Sequence, residues 1–261
     1  MVTRDSRSSH HATVVSGLES TNVVAALGIY LSACVATAIR VNLEIALDLL
    51  GTRPNDIDQL TRGIDAVVGH DNNIAAILKE TRRDPWITEG ISHLCAMVSR
   101  DIANLGPPGR IEAVTLVHPD VTEHGLDQLG IFHDGELGIC VGEAKASDQD
   151  ISGNLSDAAT KFKEVELGRH DQDIRTTISY LRDSLSVELQ QLITPTFWAD
   201  NRAYQAYAAY PENGFDHRRK RPALGSLIGA PSSVNVICLS LQDYEAFFDD
   251  VADAMRLAIE P

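Results

Sequence analysis

The chain has 261 residues, 44% hydrophobic and 23% charged, enough apolar material for a sizeable core, which excludes a wholly disordered protein. Its net charge of −15 excludes nucleic-acid binding by bulk charge, because phosphate is held by Lys and Arg that displace counterions. Any nucleic acid must therefore meet a local basic patch or be delivered by a partner.

Cys34, Cys95, Cys140 and Cys238 lie far apart with no Cys-x-x-Cys spacing. That pattern argues against a structural zinc site and predicts buried free thiols in a reducing cytoplasm.

Residues 1–20 open with a polar stretch carrying Arg4, Arg7, His10 and His11, and read as a flexible tail. Thr21 to Ile39 carries no charge and approaches the length of a membrane span, so a membrane-anchored effector is one reading. The other is a buried helix. Small and polar residues dilute the run, and the helical pattern continues through Arg40, Glu44 and Asp48 to Leu50, with Gly51 as a stop. The buried helix is preferred, with no membrane contact.

Arg53-Pro54-Asn55-Asp56 reads as a turn and helix start. Ile57, Leu60, Ile64, Val67 and Val68 then recur at helical spacing, and residues 72–80 suggest a further short helix. Residues 21–83 thus form a helical N-terminal region. At Asp84-Pro85 the pattern predicts a new helix, Asp as N-cap and Pro in its first position, running to about Ala103. Glu89 lies in its first turns, where acids are favoured by the helix dipole alone.

Gly106-Pro107-Pro108-Gly109 breaks the chain, and Arg110 to Val117 reads as a strand. Next comes a predicted β-hairpin. Its turn is His133-Asp134-Gly135-Glu136, because Asp-Gly suits a positive φ. Asp127 precedes the turn, and the apolar run Leu137 to Val141 follows it and ends in Gly142-Glu143-Ala144-Lys145. Strand alternation puts Glu143 and Lys145 on one face with Ile139 and Val141.

A Glu-x-Lys pair is common on exposed strands as a solvated couple. Here it ends an apolar run and faces an acid on the preceding strand, which points to chemistry. Asp127 and Glu143 offer hard oxygen ligands for Mg²⁺ or Mn²⁺, and one or two carboxylates suffice because Mg²⁺ keeps several waters. Such an ion activates water and clamps a phosphate oxygen, while Lys145 neutralises charge building on the phosphate.

Beyond a polar loop, residues 155–168 and 173–192 read as two helices, the second long and amphipathic through Ile174, Ile178, Leu181, Leu185, Leu189 and Leu192. Lys161 and Lys163 read as exposed helical lysines. Tyr204, Tyr207 and Tyr210 would stack on bases if exposed, though core packing or an interface is the preferred reading. Arg218, Arg219, Lys220 and Arg221 form the strongest basic cluster and the best nucleic-acid contact in the chain, and the same charges would equally suit an acidic surface of a partner or of this chain. Residues 233–241 read as a strand and 243–259 as a closing helix.

No phosphate loop, dinucleotide fingerprint or nucleophile elbow is present. His118, Asp120, His124 and His133 match no helical zinc motif and read as surface residues.

Asp127 followed by Glu143-Ala144-Lys145 on a hairpin resembles the PD-(D/E)xK nuclease superfamily. The resemblance implies a restriction-endonuclease-like α/β core over residues 84–261, a mixed central sheet flanked by helices. It implies phosphodiester hydrolysis, with Asp127 and Glu143 as metal ligands and Lys145 as the catalytic lysine. It also offers Glu89, on the helix before the first core strand, as a fourth catalytic and metal-binding residue. More narrowly, His124-Gly125-Leu126-Asp127 with Gly142-Glu143-Ala144-Lys145 over residues 85–185 is similar to the nuclease subunit family of the Hachiman anti-phage defence system. In that family a helicase partner, an ATPase, feeds DNA to the nuclease. The helical N-terminal region and the basic cluster match no part of it. The alternative is a catalytically inactive subunit of the same fold that binds nucleic acid or a protein.

Overall fold

A computed structural model describes residues 1–50, 56–118, 125–194, 197–230 and 232–259. The order is β1 (Val2–Ser6), β2 (His11–Val15), α1 (Thr21–Leu50), α2 (Asp56–Val68), α3 (Ala76–Leu78), a π-helical turn (Lys79–Arg83) and α4 (Asp84–Val98). There follow β3 (Arg110–Val114), β4 (Gln128–His133), β5 (Leu137–Ala146), α5 (Ile151–Glu166), α6 (Asp171–Arg182), α7 (Val187–Leu192) and α8 (Phe197–Asp200). The chain closes with β6 (Arg202–Pro211), α9 (Pro222–Gly225), β7 (Val234–Leu241) and α10 (Tyr244–Leu257).

The fold is α/β, a mixed seven-stranded sheet in the order β1-β2-β7-β6-β5-β4-β3 with helices on both faces. Strands β3, β4 and β5 form an antiparallel meander, while β5, β6, β7 and β2 run parallel. Alternation along the strands divides the core. Ile139, Val141, Tyr204, Ala206 and Val236 pack under α5 and α6, against Leu155, Phe162 and Ile174. Ala144, Tyr207, Ala209, Ile237 and Leu239 pack on the other face under α1, α4 and α10, against Leu31, Ile87 and Phe248.

Several expectations are corrected. The stretch expected as a flexible tail supplies β1 and β2, and β2 extends the sheet beside β7. Its buried side is carried by few residues, such as Ala12 and Val15, and β1 is almost wholly exposed, so the alternation is too faint to read. Asp84 is no N-cap. Its φ of −66° and ψ of −42° are helical, and the chain runs from α3 through the π turn into α4 without a break. A wide turn just before Pro85 supplies the slack that a proline ring demands of the preceding carbonyls.

The long helix over residues 173–192 is two, α6 and α7, separated at residues 183–186, where Ser186 caps α7 by accepting from Leu189 N–H. The core packing preferred for Tyr204, Tyr207 and Tyr210 holds: they are buried in β6 on alternating faces and offer no stacking surface. The expected stop at Gly51, the turn over residues 53–55, Asp120 and His124 lie outside the described residues.

Helix α1 is, by length and composition, apolar enough over Thr21–Ala38 to cross a membrane. In the fold, Val24, Leu27, Leu31 and Val35 join the core with Val251 and Met255 of α10. The two helices cross at Gly28, where a Cβ would fall 2.6 Å from the backbone carbon of Ala254.

Candidate active site

The β4–β5 hairpin positions the charges. Gly135 takes φ of +80° in its turn, and Asp134 N–H donates to the Glu136 carbonyl at 3.1 Å. The register is continuous from His133 opposite Leu137 to Gln128 opposite Gly142, so Asp127 arrives beside the end of β5. Its Oδ2 accepts the Ala144 N–H at 2.8 Å. Gly142 leaves room for the Gln128 side chain: a Cβ there would fall 2.7 Å from Gln128 Oε1 and displace that amide.

Glu143 and Lys145 project to the same face, as strand alternation predicts. Lys145 Nζ donates to Glu143 Oε2 at 3.0 Å and lies 3.8 Å from Asp127 Oδ2. The ammonium therefore sits where both carboxylates can reach a cation. Glu143 is 3% exposed, and its Oε1 is buried with no hydrogen-bond partner. Burial, then the charge of Asp127, holds the Glu143 carboxyl above the ordinary range, against Lys145 and Lys161. Burial lowers the Lys145 pKa, but Glu143 and Asp127 outweigh it, so its net shift is upward and it stays cationic.

An orphaned carboxylate oxygen next to a second carboxylate fits a hard divalent cation. Asp127 and Glu143 are the residues that would hold Mg²⁺ or Mn²⁺. Among the described residues no group of three or more His, Cys, Asp or Glu side chains is arranged to hold a metal. The protein's share of such a site is thus two carboxylates, with water and substrate supplying the rest.

Glu89 is placed differently. Its Oε1 accepts the backbone N–H of His118 at 3.0 Å and lies 3.1 Å from His118 Nδ1. It clamps the chain that leads from β3 toward Asp127, while burial raises its pKa, the His118 contacts oppose that rise and the charge of Asp127 adds to it, so Glu89 lies within electrostatic reach of the charge centre. His118, read as a surface residue from sequence, is the other half of this clamp.

Two residues on α5 extend the charge pattern: Lys161 acts on Glu143 and Asp157 on Lys145. Lys161, read as an exposed lysine, is half-buried. Their spacing of four places them on one helical face, a signal available in the sequence once the orientation of α5 is known. Arg218, Arg219 and Lys220 are exposed in the β6–α9 loop. Arg221 lies over the Phe215 ring at 4.5 Å and donates to Ser152 Oγ at 3.3 Å.

No known family, curated protein or solved structure matches this chain.

Proposed function

We propose that the protein is a metal-dependent DNA nuclease that hydrolyses phosphodiester bonds in the cytoplasm, as the effector of an anti-phage system with a helicase partner. The observation that carries this reading is the convergence of Asp127, Glu143 and Lys145 at the end of β5, with one buried Glu143 oxygen left unpartnered. The order α4, antiparallel β3-β4-β5, α5 and parallel β6 supports a restriction-endonuclease-like core. The helicase and the defence role rest on the local resemblance of residues 124–145, and the net charge of −15 agrees with assisted delivery of DNA.

When bound, Mg²⁺ or Mn²⁺ supplies Lewis-acid charge at the scissile phosphate. Glu143 and Asp127 hold their carboxylates toward that position, the latter fixed by the Ala144 amide. Lys145 keeps its proton at Nζ and places positive charge beside both, ready to offset the charge that develops on the phosphate. Glu89 fixes the segment around His118 and lies within electrostatic reach of Asp127, in keeping with the fourth metal-binding role that the resemblance offers.

The test is incubation of supercoiled plasmid and of labelled RNA with the protein and Mg²⁺ or Mn²⁺, alone and with the neighbouring gene's product. Nicked or linear plasmid that EDTA suppresses is expected. Intact plasmid under every condition would overturn the reading.

A second reading, a nuclease-fold subunit that binds without cutting, is favoured by one observation. Lys145 already pairs with both carboxylates and offsets one of their two charges, and no third ligating side chain joins them among the described residues.

A further inference from the structure

A cavity of about 320 Å³ opens between the start of α5 and the β6–α9 loop. Its rim carries Arg219, Lys220 and Arg221, with the hydroxyls of Ser152 and Ser156, and its floor is apolar at Leu155 and Leu224. In a chain of net charge −15, this is a concentrated exception. Among the described residues the side chains of Arg219 and Lys220 form no ion pair, although acids are plentiful. Arg221 is the fixed member. Its Nη1 donates to Ser152 Oγ, its Nη2 to the Asp216 carbonyl at 3.4 Å, and its backbone N–H to Ser9 Oγ at 3.1 Å.

The site does not depend on the helix end, since Asp150 already accepts the Gly153 N–H at 2.9 Å. It depends on three cations and two hydroxyls around one concavity, a donor set suited to phosphate oxygens.

Its placement relates it to the charge centre. Lys145 is paired with Ala208 on parallel β6, and β6 runs three residues further to Pro211 before the basic loop begins. Both walls of the cavity follow on this strand end: α5 starts at Ile151, after β5 ends at Ala146, and the basic loop follows Pro211. Leu155 and Leu224 belong to the same core as Ile139 and Val141, so the cavity opens on the sheet face toward which Glu143 and Lys145 point.

We infer that this cavity binds a phosphate of the nucleic-acid strand, outside the scissile position, and sets where along the strand the cut falls. The inference rests on the nuclease reading for the cut, but the binding itself does not. The phosphate is either an internal diester or a terminal monoester, and the chemistry of recognition is shared.

The experiment is fluorescence anisotropy of the full-length protein in EDTA, where nothing is cleaved. The ligands are short labelled duplexes with closed hairpin ends, with 5′-phosphate ends and with 5′-hydroxyl ends. Arg219→Ala with Lys220→Ala, and the same pair changed to Glu, are compared with wild type and with Arg110→Ala on edge strand β3. Residues 219 and 220 are exposed, so melting should be unchanged.

The double substitution should weaken binding by roughly tenfold or more and lower the salt slope by about two. Loss on every duplex identifies an internal diester, and loss confined to 5′-phosphate ends identifies a terminal monoester. Equal affinity and slope for wild type and variants, or no binding by wild type, overturns the inference. Cleavage that persists with unchanged binding in the variants would sink this inference alone. Phosphate-dependent binding without cleavage in any condition would sink the nuclease reading alone.

Discussion

Lys145 Nζ and Glu143 Oε2 are 3.0 Å apart, on side chains two residues apart in one strand, and the carboxylate is almost wholly buried. Neighbours on one strand face rarely need a buried ion pair for stability, because apolar pairs of the same volume serve as well or better. Under the function proposed above, the pair is a site in which the ammonium and a metal ion act beside the same two carboxylates.

One consequence concerns stability. Lys145→Met strands Glu143 without its cation, and should cost about 1–3 kcal/mol in urea unfolding without metal. Adding Glu143→Gln should recover most of that loss. Equal stability of the single and double variants would show that the pair is not coupled.

A second consequence concerns pH. The folded-state pKa of Glu143 lies above its unfolded value, first through burial and then through Asp127. Its contribution to metal-free stability is therefore present at low pH and is lost as pH rises through the folded value. A divalent cation takes the deprotonated carboxylate, so the rise in Tm caused by Mg²⁺ or Mn²⁺ should be larger at about pH 8 than at about pH 5.5. Glu143→Gln should erase both the rise and its pH dependence.

How much of this was legible in the sequence depended on local chemistry. Asp134-Gly135 announced the hairpin turn, and the apolar run before Glu143 announced a buried strand. Both signals are complete within a few residues. Strands β1 and β2 left no such signal, because the sheet edge is held by backbone pairing with β7 and not by an apolar pattern. The break at residues 183–186 was hidden because Leu181, Leu185 and Leu189 keep helical spacing across it. Glu89 showed its position on α4, but its partner His118 arrives from the far side of a strand, so the clamp could not be read from spacing.

The continuity of α3 into α4 leads to a third expectation. Arg83 is fully buried, donates to Asp84 Oδ1 at 2.8 Å and also pairs with Asp249, which Lys79 reaches at 3.0 Å. Arg83→Met removes the shared cation and leaves Asp84 and Asp249 with Lys79 as the remaining positive charge. Urea unfolding should show a loss of about 3–5 kcal/mol, and a loss below 1 kcal/mol would mean the cluster is not coupled.

A fourth expectation concerns the apolar N-terminal helix. At Gly28 a Cβ meets Ala254 Cβ at 2.5 Å and its backbone at 2.6 Å. Gly28→Val must push α1 off α10 and should destabilise the fold by about 1–3 kcal/mol. Fractionation without detergent should recover the wild type as soluble protein. If α1 is a membrane span, the protein will instead pellet with membranes and Gly28→Val will leave the remaining fold unchanged.

The most direct measurement is cleavage of labelled linear and plasmid DNA by wild type and by Lys145→Ala, with Mg²⁺ or Mn²⁺ and with the neighbouring gene's product present. Both proteins are first checked for the same circular dichroism. Cutting by wild type, with a loss of two or more orders of magnitude in Lys145→Ala, is the expected result. Equal cutting by the two proteins would contradict the assignment of the catalytic centre to the end of β5.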